Sequence, residues 1–122
     1  MKRILLLISL MALLNGCATS ATDMLKQEPQ LRLQAIATED EFRDCVFRWA
    51  DHPAISLQYH PDGVWARDSL VGSPIFLATH SGEEVAIYLS WGSKGKWEDY
   101  SGMVEKCNAE PNSLPPEGIF IW

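Results

Sequence analysis

The sequence predicts an α+β domain: a small antiparallel sheet of about four strands with two amphipathic helices on one face. Two observations carry this expectation. Apolar residues recur at i, i+3, i+4 and i+7 in Phe42/Cys45/Val46/Trp49 and again in Tyr100/Met103/Val104/Cys107, each marking one stripe of a helix. Between these stripes lie short alternating or apolar segments joined by turn-forming links, the pattern of an antiparallel meander.

The chain opens with a secretion-type leader over residues 1–16. Met1-Lys2-Arg3 is basic, and residues 4–14 are apolar except for Ser9. That run of about 11 residues fits a signal core and falls short of the ~20 needed to span a bilayer. Leu14-Asn15-Gly16-Cys17 then resembles the lipobox of bacterial lipoproteins. The resemblance implies a diacylglyceryl group on the Cys17 thiol, cleavage of the leader before it, and acylation of the new amino group by a chain such as palmitate. Ala18, standing where the family's inner-membrane retention signal has Asp, implies sorting to the outer membrane of a Gram-negative cell, with the domain facing the periplasm. One acyl chain binds a membrane only marginally, whereas several anchor a protein firmly without a transmembrane helix. This covalent lipid is the one non-protein group the sequence implies; no cofactor or metal is read.

Loss of Lys2 and Arg3 with the leader takes the formal charge from −6 to −8. There is no basic stripe, so nucleic acid is not an expected partner. The acidity argues against a domain lying flat on an anionic membrane and suits a basic protein partner. With Cys17 assigned to lipid, Cys45 and Cys107 remain as an even pair in an oxidising compartment. One disulfide between them would link the two helices and close a loop of roughly 60 residues, stabilising by up to about 4 kcal/mol on the chain-entropy account.

Residues 17–37 read as the lipidated N-terminus and a tether, small and polar at first and without a sustained period; Met24-Leu25 and Leu31/Leu33 could add a short helix or an edge strand. Residues 38–122 then form a single domain. Thr38-Glu39-Asp40-Glu41 is a capping box for the first helix, which Pro53 ends. Ile55, Leu57 and Tyr59 alternate with polar residues, and His60-Pro61-Asp62-Gly63 turns the chain, with Gly63 expected to supply a positive φ. Residues 64–67, 75–79 and 84–91 complete the strands. A glycine-rich loop over 91–97 leads to the second helix at about residues 98–108. The apolar run Ile119-Phe120-Ile121-Trp122 is a candidate short fifth strand.

No catalytic set can be assembled. His52, His60 and His80 lie at a helix exit, a turn and a hairpin tip, without metal-ligand spacing. Ser73 lacks a nucleophile elbow and Ser101 an assignable base. Asp62 with Glu83 or Glu84 is better explained by turn chemistry than by acid–base catalysis. Trp65, Trp91, Lys94, Lys96 and Trp97 form the candidate binding loop, aromatic and basic in an acidic protein. Trp91-Gly92-Ser93-Lys94-Gly95 resembles the Trp-Ser-Lys-Gly stretch of membrane-bound lysozyme inhibitors, with Gly92 inserted; the paired helices depart from that family's all-β barrel. The expected function is therefore a non-catalytic binding module on an outer-membrane lipoprotein, directed at an envelope protein as an inhibitor or immunity protein. An accessory subunit of a secretion or envelope-assembly complex is the alternative, ahead of a small hydrolase or glycan binder.

Overall fold

A computed structural model describes residues 20–90, 93 and 96–116. The leader, Cys17 and the apolar run 119–122 lie outside them. The described elements are α1 (Ala21–Leu25), β1 (Leu31–Gln34), α2 (Glu39–Trp49), β2 (Ile55–His60), β3 (Gly63–Asp68), β4 (Pro74–His80), β5 (Glu84–Leu89) and α3 (Trp97–Ala109). The five strands form one antiparallel sheet in the order β1-β5-β4-β3-β2. The meander β2 to β5 is the one read from alternation. Its fifth strand is Leu31–Gln34, which adds to the β5 edge with Leu31 opposite Ile87 and Leu33 opposite Val85.

The segment read as a tether is thus partly folded onto the domain. Ser20 caps α1, its hydroxyl accepting from the Asp23 amide at 3.2 Å, and Met24 is fully buried. The short helix and added edge strand that Met24-Leu25 and Leu31/Leu33 allowed both form; five and four residues are too short to display a period, and their packing on the sheet holds them.

The capping box forms as expected. Thr38 Oγ1 accepts from the Glu41 amide at 3.3 Å, and the Glu41 carboxylate accepts from the Thr38 amide at 3.2 Å. The Thr38 hydroxyl, and after it the Thr38 amide, holds the Glu41 carboxyl below its ordinary range. Phe42, Cys45 and Val46 are fully buried and Trp49 nearly so. They cluster with Tyr100, Met103, Val104 and Cys107 of α3 and with Val64, Ala66, Phe76, Ala78, Val85, Ile87 and Leu89 of the sheet. Each buried Val, Leu, Ile, Phe or Met among them contributes about 1.5–3 kcal/mol by leaving water. The Cys45–Cys107 disulfide joins α2 to α3 with the Cα atoms 5.5 Å apart, inside the main core.

Strand alternation sends Trp65 and Leu77 to the side opposite Val64, Ala66, Phe76 and Ala78. There they form a second, smaller core with Ala21 and Met24 of α1, flanked by Leu25 and Tyr88.

Two details differ from the sequence expectation. Gly63 does not adopt a positive φ; Gly72 and Gly82 do. A glycine is needed at residue 63 because a Cβ there would overlap the Ala78 carbonyl of β4. Pro61 and Asp62 make the turn without a left-handed residue at its exit. Tyr59, expected on a half-buried face, is 63% exposed because β2 is an outer strand. Its ring stacks on Phe47 with centroids 4.5 Å apart.

His80 is buried at the end of β4. Its Nδ1 accepts from the Gly82 amide at 3.0 Å, so the proton sits on Nε2, which donates to the Ala37 carbonyl at 2.8 Å. Both ring nitrogens are used in structure.

Candidate functional site

The most surface-directed feature of the described residues is the β3–β4 connection and the cleft beside it. Asp68 organises this loop. Its Oδ1 accepts from the Leu70 amide at 2.7 Å and from the Val71 amide at 3.1 Å. Its backbone closes the loop as well, the Asp68 amide donating to the Ser73 carbonyl and the Gly72 amide to the Asp68 carbonyl. Gly72 takes φ +73°, a conformation that costs a side-chain-bearing residue about 1–2 kcal/mol. Ser69 ties the loop to the α2–β2 connection through its amide to the Ala54 carbonyl and its hydroxyl to the Pro53 carbonyl.

The consequence is a braced loop that presents two aliphatic side chains to solvent. Leu70 is 90% and Val71 77% exposed. Exposed neighbouring aliphatics on a fixed backbone have no folding role to explain them.

Beside this loop lies a cleft of about 430 Å³, lined by Ala54, Asp68, Ser73, Pro74 and Ile75, with Ser90 and Ser93 on its other wall. A β-bulge opens it. The β3–β4 register shifts between Ala66 and Arg67, leaving Ile75 as the extra residue and turning its side chain into the main core. Ser90 reaches across to β4, its amide donating to the Ile75 carbonyl at 3.0 Å, and its hydroxyl donates to Ser93 Oγ at 2.9 Å. Ser90 and Ser93 therefore form one wall, and Asp68 and Ser73, the ends of the Leu70-Val71 loop, border the other.

The expected binding-loop residues fall in three groups. Lys96 is half-buried at the N-terminus of α3, and its loop neighbour Ser93 lines the cleft. Trp91, Lys94 and the side chain of Trp97 lie outside the described residues. Trp65 belongs elsewhere: it is 6% exposed, in the small core with Met24 and Leu77. Its ring packs with α1, the short helix that Met24-Leu25 allowed without a sequence signal for where it docks.

Leu70 and Val71 were not singled out from the sequence. The signal was there, in Asp68-Ser69-Leu70-Val71-Gly72: two aliphatic residues between turn formers, where a loop is ordinarily polar.

A second surface depression, lined by Asp40, Arg43, Asp44 and Tyr59, is built around a structural arginine. Arg43 pairs with Glu39 at 2.6 Å, donates to the His60 and Pro61 carbonyls, and lies 5.8 Å from the Tyr59 ring centroid. It clamps the β2–β3 turn to α2. Among the described residues no group of three His, Cys, Asp or Glu side chains is placed to hold a metal ion, and no helix is long and apolar enough to cross a membrane.

Comparison with protein-family models, with curated proteins and with solved structures found no match to this chain.

Proposed function

We propose that this chain is an outer-membrane-anchored lipoprotein whose periplasmic domain is a non-catalytic protein-binding module. The single observation that carries the binding reading is the exposed Leu70-Val71 pair on a loop braced by Asp68. Rigid presentation lowers the ordering cost of association, and aliphatic side chains entering a partner's pocket supply its core. The adjoining cleft offers a concave partner site, and the aromatic and basic residues Trp91, Lys94, Lys96 and Trp97 remain the candidate binding loop on sequence grounds.

The two long helices in this account lie together on one face of the sheet, joined by the disulfide. The pairing of α2 and α3 side chains in one cluster with alternate residues of β3, β4 and β5 supports that arrangement. The anchoring part rests on the lipobox resemblance of Leu14-Asn15-Gly16-Cys17, and the Cys45–Cys107 bond suits an oxidising compartment.

The formal charge of −8 after leader removal favours a basic partner, such as an envelope-acting enzyme that the domain inhibits or neutralises. A tagged mature domain used to draw partners from envelope extracts tests this. Recovery of a single soluble basic enzyme, inhibited by the purified domain, is the expected result. Recovery of a multi-subunit membrane complex would replace inhibition by an accessory role, and turnover of peptidoglycan fragments by the domain itself would contradict the reading.

A further inference from the structure

The folded body begins four residues after Cys17. Ala21 is 7% exposed and Met24 fully buried in the small core, so α1 is fixed against Trp65 and Leu77. A chain extends at most about 3.3–3.6 Å per residue, so Cys17 lies within about 14 Å of Ala21. An anchor that short cannot let the domain tumble freely above a bilayer. It selects which side of the sheet approaches the surface, because the far side of α2 and α3 stands at least a helix diameter of about 10 Å beyond the sheet.

Charge distribution selects the same side. The α1 segment, its connection to β1 and the outward strand positions carry Lys26, Arg32 and Arg67 against Asp23, Glu28 and Glu84, which balance. Arg32 and Glu84 further neutralise each other at 3.6 Å. By contrast, α2 has four acidic and two basic residues, and α3 three acidic and one basic. The acidity that argued against membrane proximity is therefore concentrated on the helices, away from α1.

We propose that the lipid on Cys17 holds the Trp65 side of the sheet against the headgroup layer of the membrane that anchors it, with the acidic helices turned away. This rests on the lipidation of Cys17 proposed above. The near-neutral side meets the anionic surface at little electrostatic cost, and the acidic side stays in the aqueous space where a basic partner arrives.

The test uses the full lipidated protein, purified from membranes and reconstituted in vesicles of phosphatidylethanolamine and phosphatidylglycerol. With Cys45 and Cys107 held in their disulfide, a fluorophore is attached through Gln58→Cys or Glu105→Cys. Gln58 is exposed and pairs with Trp65, on the α1 side; Glu105 is exposed on α3. Nitroxide-headgroup lipids should quench the Gln58 probe several-fold more than the Glu105 probe. A Gly/Ser spacer of about 12 residues between Thr19 and Ser20 should abolish the difference. Equal quenching in the native-length lipidated chain, or stronger quenching at Glu105, would overturn the orientation alone. An intact mass showing no lipid on Cys17 would overturn the anchoring reading and the orientation with it.

Discussion

Asn108, in the last turn of α3, accepts the Ile36 amide on its Oδ1 at 2.8 Å, across 72 residues of sequence. The same oxygen takes the Ala37 amide at 3.4 Å, while Nδ2 donates to the Gln34 carbonyl at 2.9 Å. Asn108 is 3% exposed. One side chain thus ties the last residue of β1 and the link that follows it to the end of α3. With His80 holding the Ala37 carbonyl, it fixes the chain between β1 and α2.

Asn108→Ala should therefore destabilise the domain by about 1–3 kcal/mol, since it removes three bonds to backbone groups, one of them buried and two part-buried. Urea unfolding measures it. Asn108→Asp should not rescue, because it sets a carboxylate oxygen against the Gln34 carbonyl. A loss below about 0.5 kcal/mol, the scale of an ordinary surface substitution, would show that the staple is dispensable.

Gly63→Ala should cost about 1–3 kcal/mol, the scale of forced overpacking, because β3 and β4 must separate to admit the Cβ. Thermal unfolding reads the effect. An unchanged melting temperature would mean that the β3–β4 approach relaxes without penalty.

These two residues show where sequence reading stops. The first long helix was fully legible, because its cap, its stripe and its proline stop lie within 16 consecutive residues, 38–53. The disulfide was legible because cysteine number and two helical stripes agree. Asn108 carries no local signal, since its partners are some 70 residues away. Gly63 was read as a turn glycine, although its need arises from a neighbouring strand. Trp65 reads as part of the candidate binding loop because nothing local shows that the short helix allowed by Met24-Leu25 docks on it.

Removal of the Cys45–Cys107 bond by the double alanine substitution should lower stability by up to about 4 kcal/mol, the chain-entropy figure for a loop of this length. Denaturant unfolding of the native and substituted chains checks this, with non-reducing peptide mapping to verify the bond. Equal unfolding midpoints would mean that the packing of α2 on α3 needs no covalent support.

Alkaline pH should weaken the fold through Tyr100. Burial, and then the neighbouring Asp99 charge, pushes its hydroxyl up to about 12 from the ordinary 10.0. The folded state thus holds the proton more tightly than the unfolded state. This contribution is complete below about pH 10 and is lost as pH rises toward about 12. Tyr100→Phe should flatten the dependence over that interval. Identical alkaline profiles for the two chains would assign the loss to other groups.

The braced Leu70-Val71 loop is the proposed contact surface. The most direct test takes the protein recovered from envelope extracts with the mature domain and measures by calorimetry its affinity for that domain and for the Leu70→Ser/Val71→Ser variant. Both side chains are exposed, so the variant should keep its melting temperature, while binding weakens by at least tenfold, about 1.4 kcal/mol. Unchanged affinity in a variant that folds normally would contradict the claim.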